Sequence, residues 1–233
     1  MQHRQVFGSS DALTAELVHL TMEAAATAVA ARGRFTMALT GGSTAELAYP
    51  VLAQAPLPWG QVHVLFGDER CVPPTHADSN FALAERTLLA RVPLPPANVH
   101  RLRGELAPAE AATDYQAVLE RVAGGVIDVV HLGMGPDGHI CSLFPDHRLL
   151  DSPRAVDWLT DAPKPPSARV TLTLRTLAAA RALWFVVAGA AKADAVRAAL
   201  LDPACPLPAA RASRDAREAR WLLDGAAAAH LKA

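Results

Sequence analysis

Hydrophobic positions along the chain follow two periods. Leu13, Leu17, Leu20, Ala24 and Ala28 recur at the spacing of one helix face, with Ser9, Ser10 or Asp11 placed to cap the start and Arg32-Gly33 to end it. Elsewhere short, mostly apolar runs without regular polar alternation stop at or beside glycine, at residues 35–40, 62–67, 126–132 and 183–189. Such runs predict strands buried on both faces, as in a parallel sheet covered by helices. An edge segment around Val6-Phe7 and a last strand at 220–224 extend the set. Helical patterns lie between them, to about Ala53 after Thr44, from Phe81 to Leu89, at about 108–122, and from Lys192 to near Leu201. Residues 169–174 alternate as a strand does, residues 155–159 and 99–102 read as shorter strands, and an alanine-rich helix closes the chain. Residues 146–166 are looser. Without internal repeats or a long linker, the pattern predicts one α/β domain over 1–233, a doubly wound and mostly parallel sheet with helices on both faces.

Composition narrows the classes. The 233 residues are 51% hydrophobic, enough for one sizeable core. With 22 Lys+Arg against 23 Asp+Glu there is no general attraction to nucleic acid or to an anionic membrane, so any anion has to be caught locally. No apolar run approaches the ~20 residues of a membrane span, and Met1-Gln2-His3-Arg4 lacks the apolar core of a signal peptide, so the expected location is the cytoplasm. Cys71, Cys141 and Cys205 are odd in number and far apart, which suggests neither a disulfide framework nor a zinc ribbon.

Three strand ends carry the chemistry. The run at 126–132 empties into Gly133-Met134-Gly135-Pro136-Asp137-Gly138-His139. Glycines let the backbone approach a ligand, while Asp137 can fix the tautomer of His139 and raise its basicity, as a general base needs. The spacing also matches a dinucleotide G-x-G-x-x-G, but Pro136 removes an amide from that cradle and Asp137 would face a pyrophosphate. After residues 35–40, Gly41-Gly42-Ser43-Thr44 opens a helix whose amides and dipole suit a phosphate. After residues 62–67 come Asp68-Glu69-Arg70-Cys71, charges in what reads as a loop at the same sheet end. Lys192 lies on the first turn of a helix, where a cation is out of place unless an anion is bound.

A serine-hydrolase elbow G-x-S-x-G, a P-loop and the metal-hydrolase H-E-x-x-H are all absent. The remaining combination points to a metal-free reaction on a small phosphorylated molecule.

The motifs also resemble a known family. Residues 38–44, then Gly67-Asp68-Glu69-Arg70 with Asp78-Ser79-Asn80, then 133–139 with Ser142-Leu143-Phe144-Pro145, are similar in order and spacing to 6-phosphogluconolactonases, and Arg169-Val170-Thr171-Leu172-Thr173 and Lys192 extend the likeness. The resemblance implies a Rossmann-like fold of the glucosamine-6-phosphate deaminase type. It also implies hydrolysis of 6-phospho-D-glucono-1,5-lactone, a step of the oxidative pentose phosphate pathway, for which no cofactor is required; separately, a monomer is expected. His139 would then be the base, Asp137 its orienting partner, and Arg70 a stabiliser of the oxyanion or sugar hydroxyls. Gly41, Gly42, Ser43, Thr44, Arg169 and Lys192 would hold the phosphate, with Asp68 and Asn80 on substrate hydroxyls or on the loop. Deaminases of this fold carry a glutamate five residues past the histidine, where this chain has Phe144. Cys71, Ile140-Cys141 and Asp146 depart from the lactonase pattern, which has tryptophan, threonine-alanine and glycine there. A deaminase, or a phosphosugar sensor without turnover, are the alternative readings.

Overall fold

The computed structural model describes residues 2–231. In chain order the main elements are β1 Gln2–Phe7, α1 Ser10–Arg32, β2 Phe35–Leu39, α2 Gly42–Leu52, β3 Val62–Phe66, β4 Asp68–Arg70, α3 Asn80–Thr87, α4 Pro108–Ala123 and β5 Val129–Leu132. They continue with β6 Val156–Leu159, β7 Arg169–Leu172, α5 Leu174–Ala179, β8 Ala182–Val187, α6 Ala193–Leu201, α7 Pro208–Asp215 and β9 Ala219–Asp224. Six strands form one sheet in the order β1-β9-β8-β5-β2-β3. Every pair in it is parallel.

The continuous apolar runs follow from that burial. In β8, Leu183, Phe185 and Val187 join the core beneath α4 to α7, while Ala182, Trp184 and Val186 join the core beneath α1 to α3. β5 divides the same way, Val130 and Leu132 to one side and Val129 to the other. A period-two strand with a core on each face is apolar at nearly every position; the buried His131 of β5, stacked on Trp184, and the buried Thr36 of β2 are exceptions. α1 begins where the sequence placed it: the Ser9 hydroxyl accepts from the Ala12 N–H at 3.2 Å, and Gly33, at φ 72°, closes the helix.

Three expectations are corrected. Residues 99–102 form no strand; Val99 makes one isolated bridge to Val64 after a 3₁₀ turn at Pro96–Asn98. The alanine-rich stretch from 225 to 230 is a series of turns, and Lys232 and Ala233, like Met1, lie outside the described residues. Its backbone bonds mix four-residue and three-residue spacings, Ala228 to Asp224 and Ala229 to Ala226, so no cooperative helical ladder forms in so short a piece. Asp68 to Arg70 is not a loop but a strand, β4, in a second, antiparallel sheet of order β4-β7-β6.

That second sheet shapes the site. β3 runs straight on through Gly67, whose N–H donates to Leu39 O at 2.9 Å and whose carbonyl accepts from Leu172 N at 2.8 Å, so one residue hands the chain from the large sheet to the small one. Asp68 then stands opposite Thr171 and Arg70 opposite Arg169. The alternation of a strand puts these four on one face and turns Glu69 to the other. In the large sheet the chain runs outward from β2 to β3 in one direction and from β5 to β8 and β9 in the other. The carboxyl ends of β2 and β5 therefore flank a topological switch point, where open α/β sheets bind ligands.

Candidate active site

A cleft of about 230 Å³ opens at that switch point. Its floor comes from the loops after β2 and β5, one wall from β4 and β7, and the other from the turn after β8. Of the site residues expected from the sequence, Gly41, Gly42, Ser43, Thr44, Asp68, Arg70, Asn80, His139, Arg169 and Lys192 line it. Asp137 stands behind His139. Thr40 and Cys141 also line the cleft and were not anticipated.

Hydrogen bonds tie the strand ends together. Thr40 Oγ1 accepts from Gly133 N at 3.2 Å, joining the β2 and β5 loops, and Thr44 Oγ1 donates to Val186 O at 3.2 Å, joining α2 to β8. No side-chain oxygen caps α2, so its first-turn amides are left to the cleft that Gly41 to Thr44 line. Gly41 has to be glycine: a Cβ there would overlap the Asn80 amide. Asn80 in turn donates to Asp68 O at 2.9 Å and to Asp68 Oδ1 at 3.0 Å, while Asp68 Oδ2 accepts from Ser142 Oγ at 2.6 Å.

Glu69, which the sequence reading gave no role, supports this wall from behind. It accepts from the Asn80 N–H at 2.7 Å, the Phe81 N–H at 2.8 Å and the Ser79 hydroxyl at 2.9 Å, so a buried carboxylate holds the start of α3. Burial pushes its carboxyl up, and these donors pull against that. Arg70 donates from Nη1 to Asp78 O at 2.5 Å. Two buried polar atoms at the cleft, Arg70 Nε and Asn80 Oδ1, have no partner among the described residues. Buried groups left that way are expected to find one in a ligand or water.

Asp137 Oδ1 meets His139 Nδ1 in a very short hydrogen bond. This fixes Nδ1 as the protonated nitrogen and leaves the Nε2 lone pair for chemistry. The local turn is built for it: Gly138 adopts φ 78°, its N–H returns to Gly135 O at 3.0 Å, and Gly135 N donates to His139 O at 2.9 Å. α7, which the hydrophobic pattern did not announce, braces the turn from behind through Ala209 N to Gly138 O at 3.2 Å. The sequence reading has Asp137 raising the basicity of His139; it does, but burial outweighs it and Lys164 adds to the burial, so the imidazole sits below its ordinary value. For Asp137 burial pushes up, yet the His139 bond and the Lys164 charge prevail and hold the carboxyl low.

Phe144 stands where the resemblance to deaminases would place a glutamate. Its ring is 4.9 Å from the His139 ring, and the Arg169 guanidinium carbon lies 5.7 Å from the Phe144 centroid. Asp146, where the family pattern has glycine, adopts φ 59°, a left-handed conformation that aspartate tolerates better than most side chains. Burial lowers the Lys192 ammonium against the pull of Asp224, and lowers the Arg169 guanidinium against the pull of Asp68. Among the described residues no group of three or more His, Cys, Asp or Glu could hold a metal ion, and no helix is long and apolar enough to cross a membrane.

Residues 8–221 match the family described as glucosamine-6-phosphate isomerases/6-phosphogluconolactonase. A human 6-phosphogluconolactonase is 43% identical over 235 residues, spanning 96% of this chain and 91% of its own. The solved 6-phosphogluconolactonase of Trypanosoma brucei superposes with a TM-score of 0.87 at 27% identity, over 100% of this chain and 99% of its own. A monomeric glucosamine-6-phosphate deaminase superposes with a TM-score of 0.85 at 17% identity, over 98% of this chain and 99% of its own, a likeness of fold alone. Matched by the family over most of its length and 43% identical to a 6-phosphogluconolactonase, this chain belongs to the glucosamine-6-phosphate isomerase/6-phosphogluconolactonase family, on its 6-phosphogluconolactonase side.

Proposed function

We propose that the chain hydrolyses 6-phospho-D-glucono-1,5-lactone to 6-phospho-D-gluconate, with His139 as general base and no metal in the reaction. The observation that carries this reading is the Asp137–His139 pair opening on a cleft whose other walls hold Arg70, Arg169 and Lys192. His139 Nε2 takes a proton from water as the water oxygen bonds to the lactone carbonyl carbon. Arg70 stands at the cleft to stabilise the oxyanion, and the bond from that carbon to the ring oxygen then breaks as the imidazolium returns the proton to the departing oxygen. The first-turn amides of α2 and the Lys192 ammonium take the phosphate. Asp68, bonded by Ser142 and Asn80, holds the wall and offers its carboxylate to a sugar hydroxyl.

The test is hydrolysis of the lactone generated in situ, with the spontaneous rate subtracted, run beside ammonia release from glucosamine 6-phosphate. Acceleration of the first alone, undiminished by EDTA, is expected. Ammonia release would support the deaminase, and phosphosugar binding with neither turnover would support a sensor.

Lys192→Ala is expected to raise KM by about tenfold to a hundredfold with a smaller change in kcat, since a charged hydrogen bond to phosphate serves ground state and transition state alike. Steady-state kinetics over a range of lactone concentrations check it. Arg169→Ala should not behave so simply, because that guanidinium also holds the chain at Lys164, Pro165 and Pro166.

A further inference from the structure

The Asp137 carboxylate has a second partner. Oδ1 holds His139, and Oδ2 lies 3.5 Å from Lys164 Nζ. Lys164 reaches it from the loop between β6 and β7, and that loop is strapped down: Arg169 donates from Nη2 to Lys164 O at 2.8 Å and from Nε to Pro166 O at 2.9 Å. Prolines at 163, 165 and 166 limit the backbone freedom on either side of Lys164. The same arginine that walls the cleft thus fixes the loop carrying the ammonium. The pair is half open to water, with side-chain exposures of 46% for Lys164 and 36% for Asp137, so it contributes little to stability. Its leverage lies in charge at the base.

We infer that Lys164 is a positioning residue for the hydrolytic step, its ammonium keeping Asp137 ionised and His139 in the neutral form with Nε2 free. The inference rests on His139 being the general base. The charges acting on the imidazole come from three elements: Asp137 on its own loop and Asp68 on β4 favour the imidazolium, and Lys164 opposes them. Arg70, Arg169 and Lys192 share the cleft with it, as does the Cys141 thiol, which burial holds well above its ordinary value and therefore neutral. Lys164 is the cation in direct contact with the orienting carboxylate, so it can oppose the proton on His139 without competing for Nδ1. Without Lys164 the two carboxylates would meet less opposing charge at the ring, making a more basic histidine that is protonated, and so idle, at mildly acidic pH.

The experiment compares wild type, Lys164→Met and Lys164→Arg by NMR titration of the His139 ring, assigned by its loss in His139→Gln, and by the pH dependence of kcat/KM. Lys164→Met keeps the aliphatic stem and removes the charge. Its His139 midpoint should rise by about half a pH unit, and the acid limb of kcat/KM should rise with it, giving about a threefold loss of kcat/KM on that limb. Lys164→Arg should restore the wild-type profile, and 1 M salt should shrink the difference between the lysine and methionine forms. A midpoint and limb both unmoved in Lys164→Met, with His139→Ala still inactive, would overturn the role of Lys164 and leave the base in place. A midpoint that moves without the limb would overturn the general-base reading and the catalytic consequence of Lys164 with it.

Discussion

His139→Ala is expected to lower kcat by about 10²–10⁴-fold, the usual contribution of a positioned general base, with KM changed far less. The side chain stands at the cleft, bonded through Nδ1 to Asp137 and packed on Phe144, but it carries none of the phosphate contacts assigned to α2 and Lys192. Removing it should therefore leave binding intact and take away proton transfer. Thermal unfolding beside the kinetics separates this from a folding defect; a folded variant with wild-type kcat would remove His139 from the mechanism.

The pH profile follows from the same group. A base works when neutral, so activity is present above the midpoint of the imidazole and lost as pH falls through it. Burial, helped by Lys164, holds that midpoint below the ordinary 6.5 of histidine despite Asp137. The expectation is a kcat/KM that is flat through neutrality and declines only on the acid side of 6.5.

How much of this was legible in the chain depends on what kind of signal each part leaves. Leu183 to Val187 and Val129 to Leu132 were legible because burial on both faces leaves a run that is apolar throughout in the first and broken only by His131 in the second. The Asp-Gly-His turn was legible because glycines at a strand's end mark close backbone approach. Asp68 to Arg70 was not legible as a strand, because what makes it one is pairing with residues 169–171, about a hundred positions away, and three charged residues carry no strand propensity of their own. Glu69 hid for the same reason: three of its four hydrogen bonds, from Ser79, Asn80 and Phe81, exist only once α3 packs against β4. α7 left one signal that went unused, Pro208 at its first helical position. Lys164 sits among prolines, where the local pattern says only loop; its meaning comes from Arg169 holding that loop against Asp137.

Gly135→Ala is the second large expected effect, and it tests the turn, with no side chain removed. Gly135 is not at a positive φ, so alanine can adopt its backbone, and the Gly135 N to His139 O bond need not break. A Cβ at 135, however, would fall on His139 Cε1 and Nδ1 and close to Asp137 Oδ1 at 2.5 Å. Something has to shift, and the element best able to move is the imidazole, which would have to leave the Asp137 carboxylate and change its reach into the cleft. Geometry errors of that size cost on the order of 10²-fold in rate even when every reacting group is still present. Gly135→Ala should therefore stay folded, bind phosphosugar, and lose about 10²-fold or more in kcat, while Gly60→Ala, with no atom near its new methyl, should behave as wild type. Wild-type kcat in Gly135→Ala would mean that the close packing of His139 against residue 135 is not what sets its catalytic position.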